Sequence, residues 1–269
     1  MTKRIGIMCF SPKNTTKRIC DAVACGMGIS DIEILDITLP KTRAAIIVKN
    51  VIDEKIDHLI VGSPVYSGKL PLQVLEVLKA LNGNGKEVTA IVVYGNRDYG
   101  IALYNMVELL SEKGFRIAAA GAFIGQHSYS DIVPVAMGRP DVSDLENARQ
   151  LGIKSLQVSK WLSFKDIPVQ IDMHSKSKGY TSLKPVHDEK LCIQCGKCAK
   201  KCPVGLLCSD TGRYLNLKAK KQCIGCMACV NACMQKAKVA KVNPIVKLVM
   251  KIILRQASRE RKEPLILVA

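Results

Sequence analysis

Short apolar runs alternate with amphipathic segments through the first 160 residues of the chain. A short continuous apolar run predicts a strand buried on both faces, and apolar residues that recur every three or four positions predict a helix. The predicted strands are Arg4–Phe10, Ile32–Ile37, Asp57–Gly62, Glu87–Tyr94 and Phe115–Ile124. The predicted helices are Thr15–Cys25, Lys41–Asn50, Leu70–Leu81, Tyr99–Lys113 and a segment from Asp141 to about Trp161.

This alternation predicts an α/β domain in which helices cover both faces of a parallel sheet. Five such units fit the flavodoxin-like doubly wound fold, a five-stranded sheet with strand order 2-1-3-4-5. We expect this domain to span residues 1–162. The periodicity is then lost, so residues 163–187 are predicted to form a linker to a small α+β domain at 188–240, followed by a tail at 241–269.

The small domain contains one cysteine pattern twice. Both copies read C-x2-C-x2-C-x3-C, the spacing that holds a [4Fe–4S] cluster, with the fourth cysteine of each copy ligating the other cluster. One cluster is therefore predicted on Cys192, Cys195, Cys198 and Cys233. The other is predicted on Cys223, Cys226, Cys229 and Cys202. This duplicated pattern predicts that the chain transfers single electrons.

A disulfide framework explains the cysteines poorly, because the sequence opens on a strand pattern and shows no secretory signal peptide. A reducing cytoplasm suits thiolate ligands, and a cytoplasmic protein is the expectation. Four cysteines outside the two motifs are expected to be small buried side chains: Cys9, Cys20, Cys25 and Cys208. No apolar run is long enough to predict a membrane-spanning helix.

The chain has a net charge of +17, concentrated in its C-terminal part. Residues 1–173 carry 20 basic and 18 acidic side chains, residues 174–240 carry 13 and 3, and residues 241–269 carry 7 and 2. Two clusters with their thiolates offset about four positive charges. The remaining excess predicts an acidic redox partner protein. Nucleic acid is not expected, because only 4% of residues are aromatic and no nucleic-acid motif is present.

The tail contains a basic amphipathic helix pattern over residues 244–255. Its basic stripe consists of Lys247, Lys251 and Arg255, and its apolar stripe of Ile245, Leu248, Val249 and Ile252. Packing on the same chain is the favoured interpretation. Docking on a partner or on a membrane surface is the alternative.

Polar and aromatic residues follow the predicted strands at the edge where a doubly wound sheet binds its ligand. We expect them to form a phosphate pocket at a helix N-terminus, continued by a ring-shaped slot that suits FMN. The expected cofactor-binding residues are Ser11, Lys13, Asn14, Thr15 and Thr16 after strand 1, Ser63, Pro64, Val65, Tyr66, Ser67 and Gly68 after strand 3, and Tyr94, Gly95, Asn96, Arg97 and Tyr99 after strand 4. Ordinary turns, and helix capping by Asn14 or Thr15, would use similar residues.

The first domain resembles the flavodoxins, whose phosphate loop S/T-x-T-G-N-T corresponds to Ser11-Pro-Lys-Asn-Thr-Thr16 here, with the Thr-Gly-Asn centre replaced. Residues 188–238 resemble bacterial two-cluster ferredoxins, with Met234 in place of the usual proline after the last cysteine. In this order the two parts are similar to a family of flavodoxin–ferredoxin fusion proteins from anaerobic bacteria and archaea. The resemblance implies FMN and two [4Fe–4S] clusters as cofactors.

The sequence leads to a first hypothesis of an FMN-dependent iron–sulfur oxidoreductase acting on a small molecule. Its expected catalytic residues are Arg97, Tyr99 and His127, although a structural histidine and a surface arginine are alternatives. The second hypothesis is an electron carrier between protein partners, without a substrate of its own. In a third, the altered phosphate loop no longer holds FMN. No G-x-G-x-x-G follows the first strand, so a Rossmann nicotinamide site lacks its usual pattern.

Overall fold

The first domain is a doubly wound α/β domain. We describe it from a computed structural model that covers residues 3–49, 52, 55–169 and 183–269. Its parallel strands are β1 (Ile5–Cys9), β2 (Ile32–Asp36), β3 (His58–Pro64), β4 (Glu87–Tyr94) and β5 (Arg116–Ile124). They run in the order β2-β1-β3-β4-β5. The predicted fold class and strand order are therefore confirmed.

Five helices cover the two faces of this sheet: α1 (Thr15–Met27), α2 (Pro40–Lys49), α3 (Leu72–Ala80), α4 (Ala102–Glu112) and α5 (Val142–Ser155). One core lies between α1, α5 and the sheet and includes Ile19 and Leu151. The other lies under α3 and α4 and includes Val77 and Leu103. Burial of every β1 and β3 residue explains the continuous apolar runs of these strands.

Helix α5 ends at Ser155, well before the predicted end near Trp161. The chain turns back toward the sheet after this point, because the Leu162 amide donates to the Ile117 carbonyl at 2.9 Å. Trp161 packs under the Arg116 guanidinium, 4.7 Å from the ring centroid. A one-turn 3-10 helix follows at Phe164–Asp166. The predicted linker lies largely outside the described residues.

A buried polar group lies at the end of the sheet where β3 and β4 begin. His58 is fully buried; its Nδ1 is 3.2 Å from Glu87 Oε2 and its Nε2 is 2.8 Å from Thr89 Oγ1. The Lys3 ammonium donates to the same carboxylate at 3.2 Å. These hydrogen bonds, the one from His58 above all, lower the pKa of Glu87 to about 2.

We expect Glu87→Gln to lower the free energy of unfolding by about 1–3 kcal/mol at pH 7. Because the pKa of Glu87 is depressed in the folded state, its contribution is present above pH 4.5 and is lost as the pH falls toward about 2. The difference in stability between the variant and the wild type should therefore shrink as the pH falls from 4.5 toward about 2, in urea unfolding followed by circular dichroism. Glu112→Gln, at an exposed position, is the control. A constant difference across this pH range would contradict the assignment.

The cysteine-rich region contains three short helices, α6 (Lys197–Lys200), α7 (Leu217–Lys221) and α8 (Ala228–Asn231). Its two-stranded sheet pairs β6 (Val186–His187) antiparallel with β7 (Lys238–Val239). Outside the motifs, Cys9 and Cys20 are buried as expected, whereas Cys25 is exposed and Cys208 is partly exposed. The prediction that all four cysteines are buried is therefore wrong for Cys25. This residue follows the buried stretch Ala22–Ala24 of α1 and lies on the solvent side of the helix.

The tail forms α9 (Pro244–Ile253), α10 (Arg255–Arg259) and an eighth strand, β8 (Leu265–Val268). The predicted helix is present, capped by the Asn243 side chain, but its predicted apolar stripe is not packed on the chain, because Ile245 is 74% and Ile252 65% exposed. The strand is an addition to the sequence-based prediction. It pairs antiparallel with β5, from Ala119 opposite Val268 to Ala122 opposite Leu265. β8 thereby covers a sheet edge that would otherwise expose unpaired backbone groups.

The tail is also attached through buried polar side chains. Asn96 Nδ2 donates to the carbonyls of Ala257 at 2.8 Å and Glu260 at 2.6 Å. The Arg139 guanidinium donates to the Lys262 carbonyl at 2.9 Å. Among the helices that the structure describes, none has the length and apolar character needed to cross a lipid bilayer.

Candidate functional site

A cavity of about 470 Å³ lies at the carboxyl ends of β1, β3, β4 and β5, where a doubly wound sheet binds ligands. This volume is within the usual range for small-molecule and cofactor pockets. Most of the predicted cofactor residues line it: Lys13, Thr15, Thr16, Pro64, Val65, Tyr66, Ser67, Gly68, Tyr94, Gly95 and Arg97. His127 lines it as well. The topology thus brings four predicted loops together around one space.

The turn between β1 and α1 has the polar character of a phosphate site. Asn14 precedes α1 in the left-handed conformation and makes no side-chain capping bond, so the alternative of ordinary capping by Asn14 does not hold. Ser11 Oγ instead accepts the Lys17 amide at 3.0 Å, which fixes the turn. Thr16 Oγ1 is buried at the cavity wall and has no hydrogen-bond partner in the described part of the chain. A phosphate oxygen would satisfy this hydroxyl.

Lys13 adds a cation at the same end of the cavity. Burial lowers the pKa of its ammonium, and nearby Asp131 partly opposes this effect. The free backbone N–H groups at the start of α1 add to its attraction for an anion. The residues present therefore fit the phosphate group of FMN, although the loop lacks the Thr-Gly-Asn sequence of flavodoxins.

Two glycine contacts shape the slot beyond the phosphate end. A Cβ atom on Gly95 would lie 2.4 Å from His127 Cδ2. A Cβ on Gly100 would lie 2.5 Å from the Gly68 carbonyl oxygen, and Gly100 has a positive φ of 55°. Glycine is therefore required at both positions, because any side chain would separate the loops that follow β3, β4 and β5.

His127 lines the slot in its neutral form. Its Nδ1 accepts the Tyr129 amide at 3.1 Å, so Nε2 carries the proton. Burial and the charges of Arg97 and Lys13 lower the pKa of His127 to about 4. His127 therefore provides a hydrogen-bond donor at neutral pH and is a poor source of a proton.

Five predicted residues do not line the cavity. Ser11 holds the turn, and Asn14 only shapes it. The Ser63 hydroxyl is buried and donates to the Pro64 carbonyl at 2.9 Å. Asn96 is occupied by the tail, and Tyr99 is only 3% exposed, with its ring edge-on to Tyr94. The fold uses these side chains for packing and loop structure, and their roles in binding, and that of Tyr99 in catalysis, stay predictions.

The cavity also has walls that the sequence analysis did not assign. Tyr129 and Leu183 meet there through a hydrogen bond from the Leu183 amide to the Tyr129 hydroxyl at 3.1 Å. Ile224 and Gly225 come from the second cysteine motif. The tail contributes Val246, Met250, Ile253 and Leu254. Only the packing of the tail and the cysteine-rich region onto the first domain makes these residues part of the wall.

Eight motif cysteines surround two further cavities in two groups of four. The first cavity, of about 140 Å³, is lined by Cys192, Cys195, Cys198 and Cys233. The second, tighter at about 20 Å³, is lined by Cys202, Cys223, Cys226 and Cys229. These are the two crossed ligand sets that the spacing predicts, and the donors are the thiols that a [4Fe–4S] cluster requires.

The two cysteine loops have the same backbone geometry. Positive φ angles occur at Gln194 and Gly196 in the first loop and at Gly225 and Met227 in the second, at equal distances from Cys192 and Cys223. Such a loop turns its amides inward: the Gln194 amide donates to the Cys192 sulfur at 3.4 Å. Amide-to-sulfur hydrogen bonds of this kind stabilise cluster-bound thiolates. The repeat in the sequence therefore corresponds to a repeat in the backbone structure.

Two thiols of the second cavity hold their protons strongly while no metal is bound. Burial raises the pKa of both Cys226 and Cys229 to about 12, so these thiols lose their protons on binding metal. In the described ranges, no three His, Cys, Asp or Glu side chains are close enough to hold a single metal ion. Four thiols around a shared space instead match a multi-iron cluster.

Residues 184–241 match the family described as 4Fe-4S dicluster domain. This match and the observed strand order define the class of the chain: a flavodoxin-like domain joined to a 4Fe-4S dicluster domain, as the sequence-based resemblance predicts. The dicluster part identifies the chain as an electron-transfer protein. No protein of curated function matches the chain.

Several solved structures are similar to part of this chain. A flavodoxin from the domain Archaea is 18% identical, with 57% of this chain and 96% of that chain covered at a TM-score of 0.42. An NADH:FMN oxidoreductase in its apo form is 21% identical, with coverages of 59% and 91% and a TM-score of 0.42. Oxidised flavodoxin 2 from Bacillus cereus is 15% identical, with coverages of 57% and 98% and a TM-score of 0.43.

Proposed function

We propose that the chain is an FMN-dependent iron–sulfur oxidoreductase, in which the two clusters exchange single electrons with FMN in the large cavity. One observation carries this proposal: the large cavity and the second cysteine cavity share a wall. Ile224 lines both, and Cys226 is buried in the same core as the first domain's apolar side chains. A cluster on the second set of cysteines would therefore lie beside the cofactor cavity.

The exposure of the two cysteine groups suggests the order of electron transfer. Cys195 of the first group is exposed and its neighbour Ile193 is 64% exposed, whereas Cys226 and Cys229 of the second group are buried. The first group of cysteines would hold the cluster that accepts electrons from outside, and the second group would hold the one that passes them inward. Lys197 and Lys200 of α6 lie beside this entry point, and an acidic redox partner protein would dock there.

Bound FMN would supply a centre that exchanges one or two electrons, where each cluster carries only one. The protein's own residues would orient it. Lys13 and Thr16 bind the phosphate, and the glycine contacts at Gly95 and Gly100 keep the slot narrow. The protonated Nε2 of His127 and the Arg97 guanidinium provide a donor and a positive charge for the ring or for a small acidic substrate beside it.

An electron carrier is the second candidate, and the composition of one wall favours it. Where the tail lines the cavity, it contributes only aliphatic and methionine side chains. A wall of this kind excludes water but offers a substrate no polar group. Turnover with small-molecule acceptors and no partner protein distinguishes the candidates: sustained turnover supports the enzyme, and strict dependence on a partner supports the carrier.

The cofactor content tests the proposal directly. We expect anaerobically purified protein to contain about eight iron atoms and one FMN per chain, with flavin and iron–sulfur absorption that are both bleached by dithionite. Full iron content in protein that neither retains nor rebinds FMN would overturn the proposal while leaving the clusters in place.

The phosphate site gives a sharper test. We expect Lys13→Met to raise the dissociation constant of FMN about tenfold or more, since a charge-assisted contact to phosphate is lost. Riboflavin, which has no phosphate, should bind both proteins equally. The matched control is Lys17→Met, whose partly exposed ammonium is paired with Asp21. Equal weakening of FMN and riboflavin would contradict the phosphate assignment.

A further inference from the structure

Lys238 is a buried cation without a counter-ion. It lies in β7, and only 2% of its surface is exposed. Its Nζ has no hydrogen-bond partner among the residues that the structure describes. Lysine is rarely buried unless it is paired, because removing an ammonium from water costs several kcal/mol. The sequence around it offers no local carboxylate, since residues 211–259 contain no Asp or Glu.

The position of Lys238 places this charge between the two cysteine cavities. Its side chain lines the first cavity. Its Nζ also lies 5.3 Å from the ring centroid of Tyr214, which lines the second cavity. One ammonium therefore lies at the first cavity and beside a ring that lines the second.

His187 adds a second unsatisfied group at the same place. It pairs with Lys238 in the β6–β7 ladder and lines the first cavity with it. Its Nδ1 is also buried without a hydrogen-bond partner in the described ranges. Two buried polar side chains without hydrogen-bond partners in the described ranges therefore line one cysteine cavity. The Lys238 ammonium needs negative charge nearby, and the sulfurs of a bound cluster would supply it.

We infer that the buried positive charge of Lys238 raises the reduction potential of the first cluster. It raises the reduction potential of the second cluster to a smaller extent. A [4Fe–4S] cluster with four thiolates goes from about −2 to about −3 when it accepts one electron. A fixed positive charge stabilises the more negative state, and burial prevents solvent from screening it. This inference rests on the cysteine ligation alone and is independent of FMN binding.

The test is an anaerobic redox titration of the holoprotein with dithionite, followed by electron paramagnetic resonance. Lys238→Met keeps the length and packing of the side chain but removes the charge. We expect the equilibrium constant for reduction of the first cluster to fall at least tenfold, which corresponds to about 59 mV for a one-electron couple. Unchanged potentials at full iron content would overturn the inference.

Lys201→Met is the matched control, because Lys201 lies between two cluster cysteines yet is exposed. We expect it to change the equilibrium constant less than about twofold, since solvent screens its charge. An equal shift in both variants would show an effect of net charge alone and would also overturn the inference.

Cluster assembly provides a second readout if Lys238→Met does not hold its iron. In that case the redox titration is carried out on Lys238→Gln instead of Lys238→Met. Reduction potentials equal to those of the wild type would then overturn the inference. If neither neutral variant assembles, the charge itself is required, and Lys238→Arg is expected to restore both iron and sulfide. Failure of Lys238→Arg would overturn the inference, since it would show a requirement for shape.

Discussion

Cys202→Ser should remove the cluster held by the second cysteine motif and spare the cluster held by the motif in which Cys202 lies. This result is expected because Cys202 lines the cavity of Cys223, Cys226 and Cys229, and not that of its sequence neighbours. The iron content should fall from about eight to about four atoms per chain. In the proposed oxidoreductase the lost cluster would lie beside the cavity that holds FMN, so reduction of FMN through the first cluster should slow by at least about tenfold.

Cys208→Ser is the matched control for this experiment. Cys208 lies six residues further along the chain, in the same small domain, and lines neither cysteine cavity. It should keep full iron content and wild-type electron paramagnetic resonance spectra. Loss of the first cluster in Cys202→Ser, with the second intact, would show that each motif ligates its own cluster and would refute the crossed arrangement.

Asp144→Ala should strongly destabilise the first domain. Asp144 is fully buried and accepts from Arg139 Nε at 2.7 Å and from its terminal NH2 group, while Arg139 is 6% exposed. Removing the carboxylate leaves a buried, unpaired guanidinium, at a cost of about 3–5 kcal/mol. It also removes one half of the capping box that starts α5. Urea unfolding of anaerobic holoprotein, followed by circular dichroism, measures the effect.

A control on the same helix separates burial from charge. Glu146 and Arg149 form an exposed pair on α5, so Glu146→Gln should leave the free energy of unfolding nearly unchanged. Replacing both buried partners, as Arg139→Met with Asp144→Leu, should recover part of the loss because no charge is then left unpaired. A loss in Asp144→Ala no larger than in Glu146→Gln would contradict the buried-pair argument.

The parts of the fold that sequence analysis predicts are those fixed by local pattern. Buried parallel strands have continuous apolar sequences, so β1 to β5 follow from periodicity, and their order follows from the doubly wound fold that this alternation fits. The cysteine ligand sets follow from spacing. β8 could not be predicted in this way, because Leu265-Ile-Leu-Val268 is short and becomes a strand only by pairing with β5.

The candidate site was predictable as a location but not residue by residue. The edge of the sheet follows from topology, whereas the direction of each side chain depends on tertiary contacts. Asn96 illustrates this limit: its loop position suggests cofactor binding, but its amide holds the tail. Ile224 illustrates the converse, since an apolar residue between two cysteines gives no indication that it separates two cofactor sites.

The return of the chain to the sheet has a consequence for how fast electrons can move. The dicluster region leaves the first domain near Leu162, which bonds to β5, and rejoins it through β8, which pairs with the same strand. It is thus attached to one strand of the sheet at two points. In the proposed oxidoreductase the clusters and FMN would belong to one chain, so transfer between them should be first order, with a rate that is unchanged when the protein is diluted.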